Sequence, residues 1–191
     1  MRKIILWMGI SLDGYIEGPN REIDWHLVDD ELHSHFNAEL RQMSAFLGGR
    51  VVYELMEGFW PSADADPQSP PAMVEFADIW RNMPKIVYSR TLQEAGPNAT
   101  IVREVVPAEV EALKAQPGGD MALGGADLAA TFGELDLIDE YRIYVHPVII
   151  GAGKPLFWPS TTRRPLNLIE TRVFGNGVVM LRYERTRAPG C

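Results

Sequence analysis

The chain is short of several things, and each shortage excludes a class of protein. Of its 191 residues one, Cys191, is cysteine. A single thiol closes no disulfide within the chain and builds no cysteine zinc site. The fold must therefore rest on its apolar core, and the compartment expected is reducing, the cytoplasm. Positive charge is scarce too. Eighteen Lys and Arg face 26 Asp and Glu, a net charge of −8. A surface of that sign repels nucleic acid, so any anion site must be local, made of backbone amides and a few arginines. No apolar run is long enough to span a bilayer, so no membrane partner is expected. The opening MRKIILWMGISLDG carries basic residues and an apolar run, but no small-residue cleavage site. It reads as a first strand, not a signal peptide. Repeats, low-complexity tracts and interdomain linkers are also absent. What remains is an ordinary globular composition, 46% hydrophobic and 23% charged. We expect a single domain over residues 1–187 with a short tail, 188–191.

The pattern alternates strand and helix. Residues 3–10, KIILWMGI, form a continuous apolar run that suits a strand buried on both faces. Gly9 near its end leaves room for something flat. A turn follows at Ser11-Leu12-Asp13-Gly14, where Asp13 is either a catalytic carboxylate or a turn former. Trp25 and His26 sit beyond a polar loop and suggest a pocket wall or a cap on the core. Residues 29–43 read as a helix with Leu32, Phe36, Leu40 and Met43 in one stripe. His33 lies beside that stripe and His35 points elsewhere; the two are poor evidence for metal, and no metal is expected. Strands follow over 45–48, 85–88 and 100–103, with helices from Gly49, over 72–83 and over 107–115. The proline-rich stretch 59–71 reads as a flexible loop or lid. Residues 138–150 read as one long strand. Two strands flanking Gly175-Asn176-Gly177 (165–174 and 178–187) read as a hairpin. The sheet is thus expected to be mostly parallel and to finish antiparallel.

Three junctions attract attention because each leaves a strand through small or basic residues. Gly124 and Gly125 end an apolar run, and Ala126, Asp127 and Leu128 open a helix. Such a junction is either a tight turn or a site where amides at a positive helix end meet a diphosphate. Gly49 and Arg50 repeat the pattern with a guanidinium that is either a phosphate clamp or a surface ion pair. Ser89, Arg90 and Thr91 follow the 85–88 strand and make either a polar turn or a seat for a monoester phosphate. Residues 151–155, GAGKP, form a loop that lacks the spacing of a Walker motif.

The ordered series SLDGYIEG, FLGGRVVYELM, KIVYSRTL, MALGGADLAATF and DLIDEYRIYVHPVIIGAGKPLF resembles the dihydrofolate reductase-like superfamily. Within it the series is most similar to the reductase half of the bifunctional riboflavin-biosynthesis deaminase-reductase and its free-standing relatives. The resemblance implies an α/β three-layer fold with a central mixed, mostly parallel sheet. It implies NADPH as hydride donor to a small heterocyclic or carbonyl substrate, as in 5-amino-6-(5-phosphoribosylamino)uracil reductase. It places Gly9 and Ile16 beside the nicotinamide, and Gly49, Arg50, Val51 and Val52 on the phosphates and adenosine side. It places Ser89, Arg90 and Thr91 around the 2′-phosphate, and Gly124 through Leu128 on the diphosphate. The pattern usually has threonine where this chain has Val52, and the acidic helix residue of true dihydrofolate reductases has no counterpart. Asp13, His33 or water is then left to supply the proton. A zinc deaminase motif is missing. A homodimer is implied, with residues 138–150 and the terminal hairpin as its expected interface. A nucleotide-binding protein of the same fold without turnover is the other class these residues allow.

Overall fold

A computed structural model describes residues 1–157, 160 and 162–186. The tail 188–191, with Cys191, and the expected strand end at Arg187 lie outside the described residues.

Strand β1 (Ile4–Ser11) is the axis of the molecule. Its side chains alternate between two faces, as a pleated strand requires. Ile4 and Leu6 join one core with Leu123, Phe132 and Tyr141. Ile5 joins a second with Tyr53, Phe76 and Trp80. Full burial of each of these side chains contributes about 1.5–3 kcal/mol. A strand that is apolar on both faces belongs in the middle of a covered sheet, and β1 lies there.

The elements follow as β2 (Tyr15–Glu17), α1 (Asp30–Leu40), β3 (Ala45–Gly49), α2 (Arg50–Glu57), α3 (Pro71–Asn82) and β4 (Lys85–Tyr88). After these come β5 (Ala99–Val102), α4 (Pro107–Ala115), β6 (Met121–Gly124), α5 (Ala126–Glu134) and β7 (Glu140–His146). The chain closes with β8 (Lys154–Pro155), β9 (Leu166–Val173) and β10 (Val179–Arg185). Eight strands form one sheet in the order β5-β4-β3-β6-β1-β7-β10-β9. Neighbours from β5 through β7 are parallel, while β10 runs antiparallel to both β7 and β9. Helices cover both faces: residues of α4 and α5 pack into the first core, and residues of α1, α2 and α3 into cores on the other side. The expected fold class is observed.

Four expectations shift. The strand expected over 138–150 ends at His146, because Pro147 has no N–H to extend the ladder. Beyond it the chain turns, with Val148 N–H donating to the His146 carbonyl at 2.8 Å. β7 is enclosed between β1 and β10, so it cannot offer the interface expected of it. The helix expected from residue 29 starts at Asp30, since Asp29 serves as its cap and accepts the Leu32 N–H at 2.9 Å. The stretch expected to be a flexible loop or a lid is anchored at one point: the Arg81 guanidinium forks onto both oxygens of Asp64 at 2.9 and 2.7 Å and also reaches the Pro61 carbonyl.

Candidate functional site

Parallel strands point their C-terminal ends the same way, and ligands of open α/β sheets gather there. Register brings the junctions together. Gly49 lies opposite Tyr88, and Gly48 opposite Gly124. A groove of about 290 Å³ opens over these ends. Ile16 lines it, as do Gly49, Arg50, Val51 and Val52, and so do Gly125, Ala126, Asp127 and Leu128. Tyr88 forms part of the wall, one residue before Ser89. Three chain crossings expected to share a ligand thus meet along one sheet edge.

Two helices present their N-termini to this groove. Gly49 caps α2 and Gly125 caps α5, and neither has a side chain to bond the first amides. The free N–H groups and the positive helix ends suit an anion. Gly125 has φ +91°, and a Cβ there would stand 3.0 Å from Val52 Cγ2. Both constraints demand glycine. They also show what Val52 does: it fills the space against Gly125 with a methyl, where the resemblance led to the expectation of a threonine hydroxyl. Gly124 stands behind it, between Val52 and Met8.

Arg50 starts α2, at the end of the helix dipole that disfavours a cation. It is balanced by Glu54, 2.9 Å away one turn on, and both side chains are about half exposed. Such a pair holds its arginine weakly and leaves it free to turn to a stronger anion. Lys154 is the residue that the sequence did not single out. It reaches the groove on β8, which pairs with β2 and brings Glu17 and Lys154 side by side. Its ammonium lies 2.6 Å from Asp127 Oδ2 in the first turn of α5. Two-residue strands leave no periodic signal, so this neighbourhood was not readable from spacing. Burial pushes the Tyr88 hydroxyl up to about 12, with Glu109 adding to the shift, so it stays protonated at the groove wall.

Ser89, Arg90 and Thr91 lie at the same edge, just past the lining. The Ser89 hydroxyl oxygen accepts the N–H of Thr91 at 3.3 Å and of Leu92 at 3.0 Å, a local polar turn. Arg103 fixes this turn by donating to the carbonyls of Ser89 and Leu92. Arg90 is 81% exposed and only 3.8 Å from Glu104.

Gly9 differs from the expectation of an open shelf. Its side-chain direction is occupied: a Cβ would meet His146 Nε2 at 3.1 Å and His26 Cε1 at 3.4 Å. The two imidazoles stack, 4.8 Å between centroids and 12° between planes, with Trp25 edge-on to His26. Burial, and then the neighbouring His26, push His146 down to about 4. His26 is also lowered by burial, against a backbone hydrogen bond with Ile16 that raises it.

Neither Asp13 nor His33 lines the groove. Asp13 accepts the N–H of Gly151 at 2.8 Å and of Ile150 at 3.3 Å, tying the first turn to a distant loop. The Ser11 hydroxyl and these amides hold its carboxyl below the usual range. His33 is half-buried on α1, its ring 5.8 Å from Trp60 and 5.9 Å from Phe76. Burial lowers it, while Asp30 and Glu75 oppose the shift. Among the described residues no group of three acids, histidines or cysteines could hold a metal ion, and no helix is long and apolar enough to cross a membrane.

The RibD C-terminal domain family matches residues 2–180. The chain belongs to that family. A Bacillus subtilis (strain 168) relative, the uncharacterized protein YyaP, is 38% identical over 183 residues, spanning 95% of this chain and 94% of its own. Among solved structures, a Shewanella sp. PV-4 protein ascribed to riboflavin biosynthesis is similar at TM-score 0.76 and 23% identity, covering 98% of this chain and 100% of its own. Enterococcus faecalis dihydrofolate reductase, complexed with NADP(H), is similar at TM-score 0.64 and 14% identity, covering 97% of both chains. At these identities the structural likeness carries the fold, which in this family member is the dihydrofolate reductase-like one.

Proposed function

We propose that the protein is an NADPH-dependent reductase that delivers a hydride to a small heterocyclic or carbonyl substrate. One observation carries the reading: two uncapped helix N-termini, Arg50 and Lys154 converge on a single groove at the C-terminal edge of a parallel sheet. That donor set suits a dinucleotide diphosphate. The first-turn amides of α2 and α5 would hold it, and Arg50 would exchange Glu54 for a phosphate oxygen. Ser89, Arg90 and Thr91 lie one step along the same edge, where a 2′-phosphate on the adenosine would reach them. Gly9 and Ile16 border the nicotinamide end. The E. faecalis enzyme of the same fold is complexed with NADP(H), which supports the choice of cofactor.

When bound, NADPH supplies the hydride; the chain binds it, orients it and keeps water away. The proton is a separate matter. Asp13 is held ionised by Ser11 and two backbone amides, so it has no proton to give. His33, lowered by burial against Asp30 and Glu75, also lies outside the groove lining, which leaves bound water as the proton source of this reading. Titration by cofactor fluorescence tests the proposal. NADPH should bind more tightly than NADH and be oxidised in a screen of pyrimidines, pteridines and quinones. Stoichiometric binding with no oxidation would instead favour the nucleotide-binding protein without turnover.

The protein is also proposed to work as a homodimer through its hairpin. Every residue of β9 is exposed, Leu168, Ile169 and Val173 among them, and β9 is an edge strand. Long apolar edges invite pairing with a second copy. Light scattering should show a dimer that Ile169→Lys with Val173→Lys converts to monomer.

A further inference from the structure

The histidine pair beside Gly9 has a polarity that the reductase reading does not use. Leu27 N–H donates to His146 Nδ1 at 3.1 Å. A neutral imidazole whose Nδ1 accepts carries its proton on Nε2. That nitrogen therefore donates, and it lies 3.1 Å from where a Gly9 Cβ would stand. His26 has the complementary arrangement. A backbone hydrogen bond with Ile16 favours its protonated ring, and its Nε2 is buried without a partner. The bonded nitrogen is then Nδ1, and Nε2 keeps a lone pair. Stacking holds the two rings nearly parallel, so one donor and one acceptor stand side by side.

Two further observations point to a ligand. A buried acceptor without a partner is costly, and native structures rarely leave one unless something else fills the role. The charge is equally informative. Burial, Ile16 and the partner ring shift these histidines, and no carboxylate or guanidinium contributes to either. The place suits an uncharged polar group and not a phosphate.

We infer that His26 and His146 form a donor–acceptor pair that reads an amide edge, an N–H beside a C=O, next to Gly9, where the reductase reading puts the site of hydride transfer. This rests on the reductase reading. The edge belongs either to the carboxamide of the nicotinamide or to a lactam of the substrate, as in a pyrimidine or pteridine ring.

Calorimetric titration of the wild type, His26→Phe and His146→Phe decides the matter. The first arm compares NADPH with 2′-phospho-ADP-ribose, which lacks only the nicotinamide. The second compares uracil with 1,3-dimethyluracil, which has no N–H, on protein saturated with NADP⁺. The fragment should bind all three proteins alike. Each variant should lose about tenfold for the probe carrying the edge, and His26→Gln, which keeps an acceptor, should recover most of it. A loss confined to NADPH assigns the carboxamide; a loss confined to uracil assigns the substrate lactam. If neither the NADPH advantage over its fragment nor the uracil advantage over its dimethyl form exists or changes, the inference is overturned. A wild type that binds neither NADPH nor the fragment refutes the reductase reading instead, and the uracil arm still judges the pair.

Discussion

Gly125 and Gly9 stand near the C-terminal ends of neighbouring strands, β6 and β1, and they do opposite things. Gly125 is required by its backbone, at φ +91°, and keeps a helix end open to an anion. Gly9 is required by its neighbours, because two imidazoles press against it. The first glycine makes space within reach of Arg50 and Lys154. The second gives its space to uncharged rings. One sheet edge thus offers a charged half and a neutral polar half, which the proposed ligand would meet with its phosphate end and its aromatic amide end. A glycine in a sequence marks close approach, but not what approaches.

The largest effect is expected at the neutral half, from pH. Unfolded His146 takes up a proton near the usual 6.5, whereas the folded ring does so only at about 4. The unfolded chain therefore binds more protons between these values. Stability is full well above 6.5 and falls as the pH drops through 4, by about 3 kcal/mol in all. His146→Phe should flatten that slope in urea titrations at stepped pH. An unchanged slope would place the acid sensitivity elsewhere.

Gly125→Ala should cost about 1–3 kcal/mol of stability through the disallowed backbone and the Val52 contact. It should also weaken NADPH more than the wild-type fold loses stability would suggest, at least tenfold. If stability falls but affinity does not, the α5 end is a turn and nothing more. Arg50→Ala should weaken NADPH binding by about 1.5–3 kcal/mol, the worth of a charge-assisted bond, without touching stability, since the Glu54 pair is exposed. Gly9→Ala is expected to cost about 1 kcal/mol, because the rings it meets have little room to retreat. It should leave 2′-phospho-ADP-ribose binding unchanged, and a shared loss would erase the distinction between the two halves. Arg90→Ala should have the smallest effect, under about 1 kcal/mol, given a side chain that is 81% exposed. Its signature is in the ratio of NADPH to NADH affinity.

Much of this was legible in the residues. The unbroken apolar run of β1, the alternating strands and helices, and the Gly-Asn-Gly hairpin turn follow from period and turn chemistry. These local rules also singled out Gly49, Arg50, Gly125 and Asp127 as strand-to-helix junctions, and folding brings them to one groove. Other features were out of reach. Pro147 shortens β7 against the apolar pattern that runs through it. Arg81 pins a proline-rich stretch from 17 residues away, at Asp64. Lys154 enters the groove only because β8 finds β2, a pairing of two residues with three.

The amino-acid order by itself determined which segments are strands and helices and where a glycine ends a strand before a helix, since both depend on near neighbours in the chain. Only the tertiary structure decided which charges share a groove and which rings lie on Gly9. His26 and His146 are 120 positions apart in the chain, Asp127 and Lys154 are 27, and no periodicity encodes a contact made by folding.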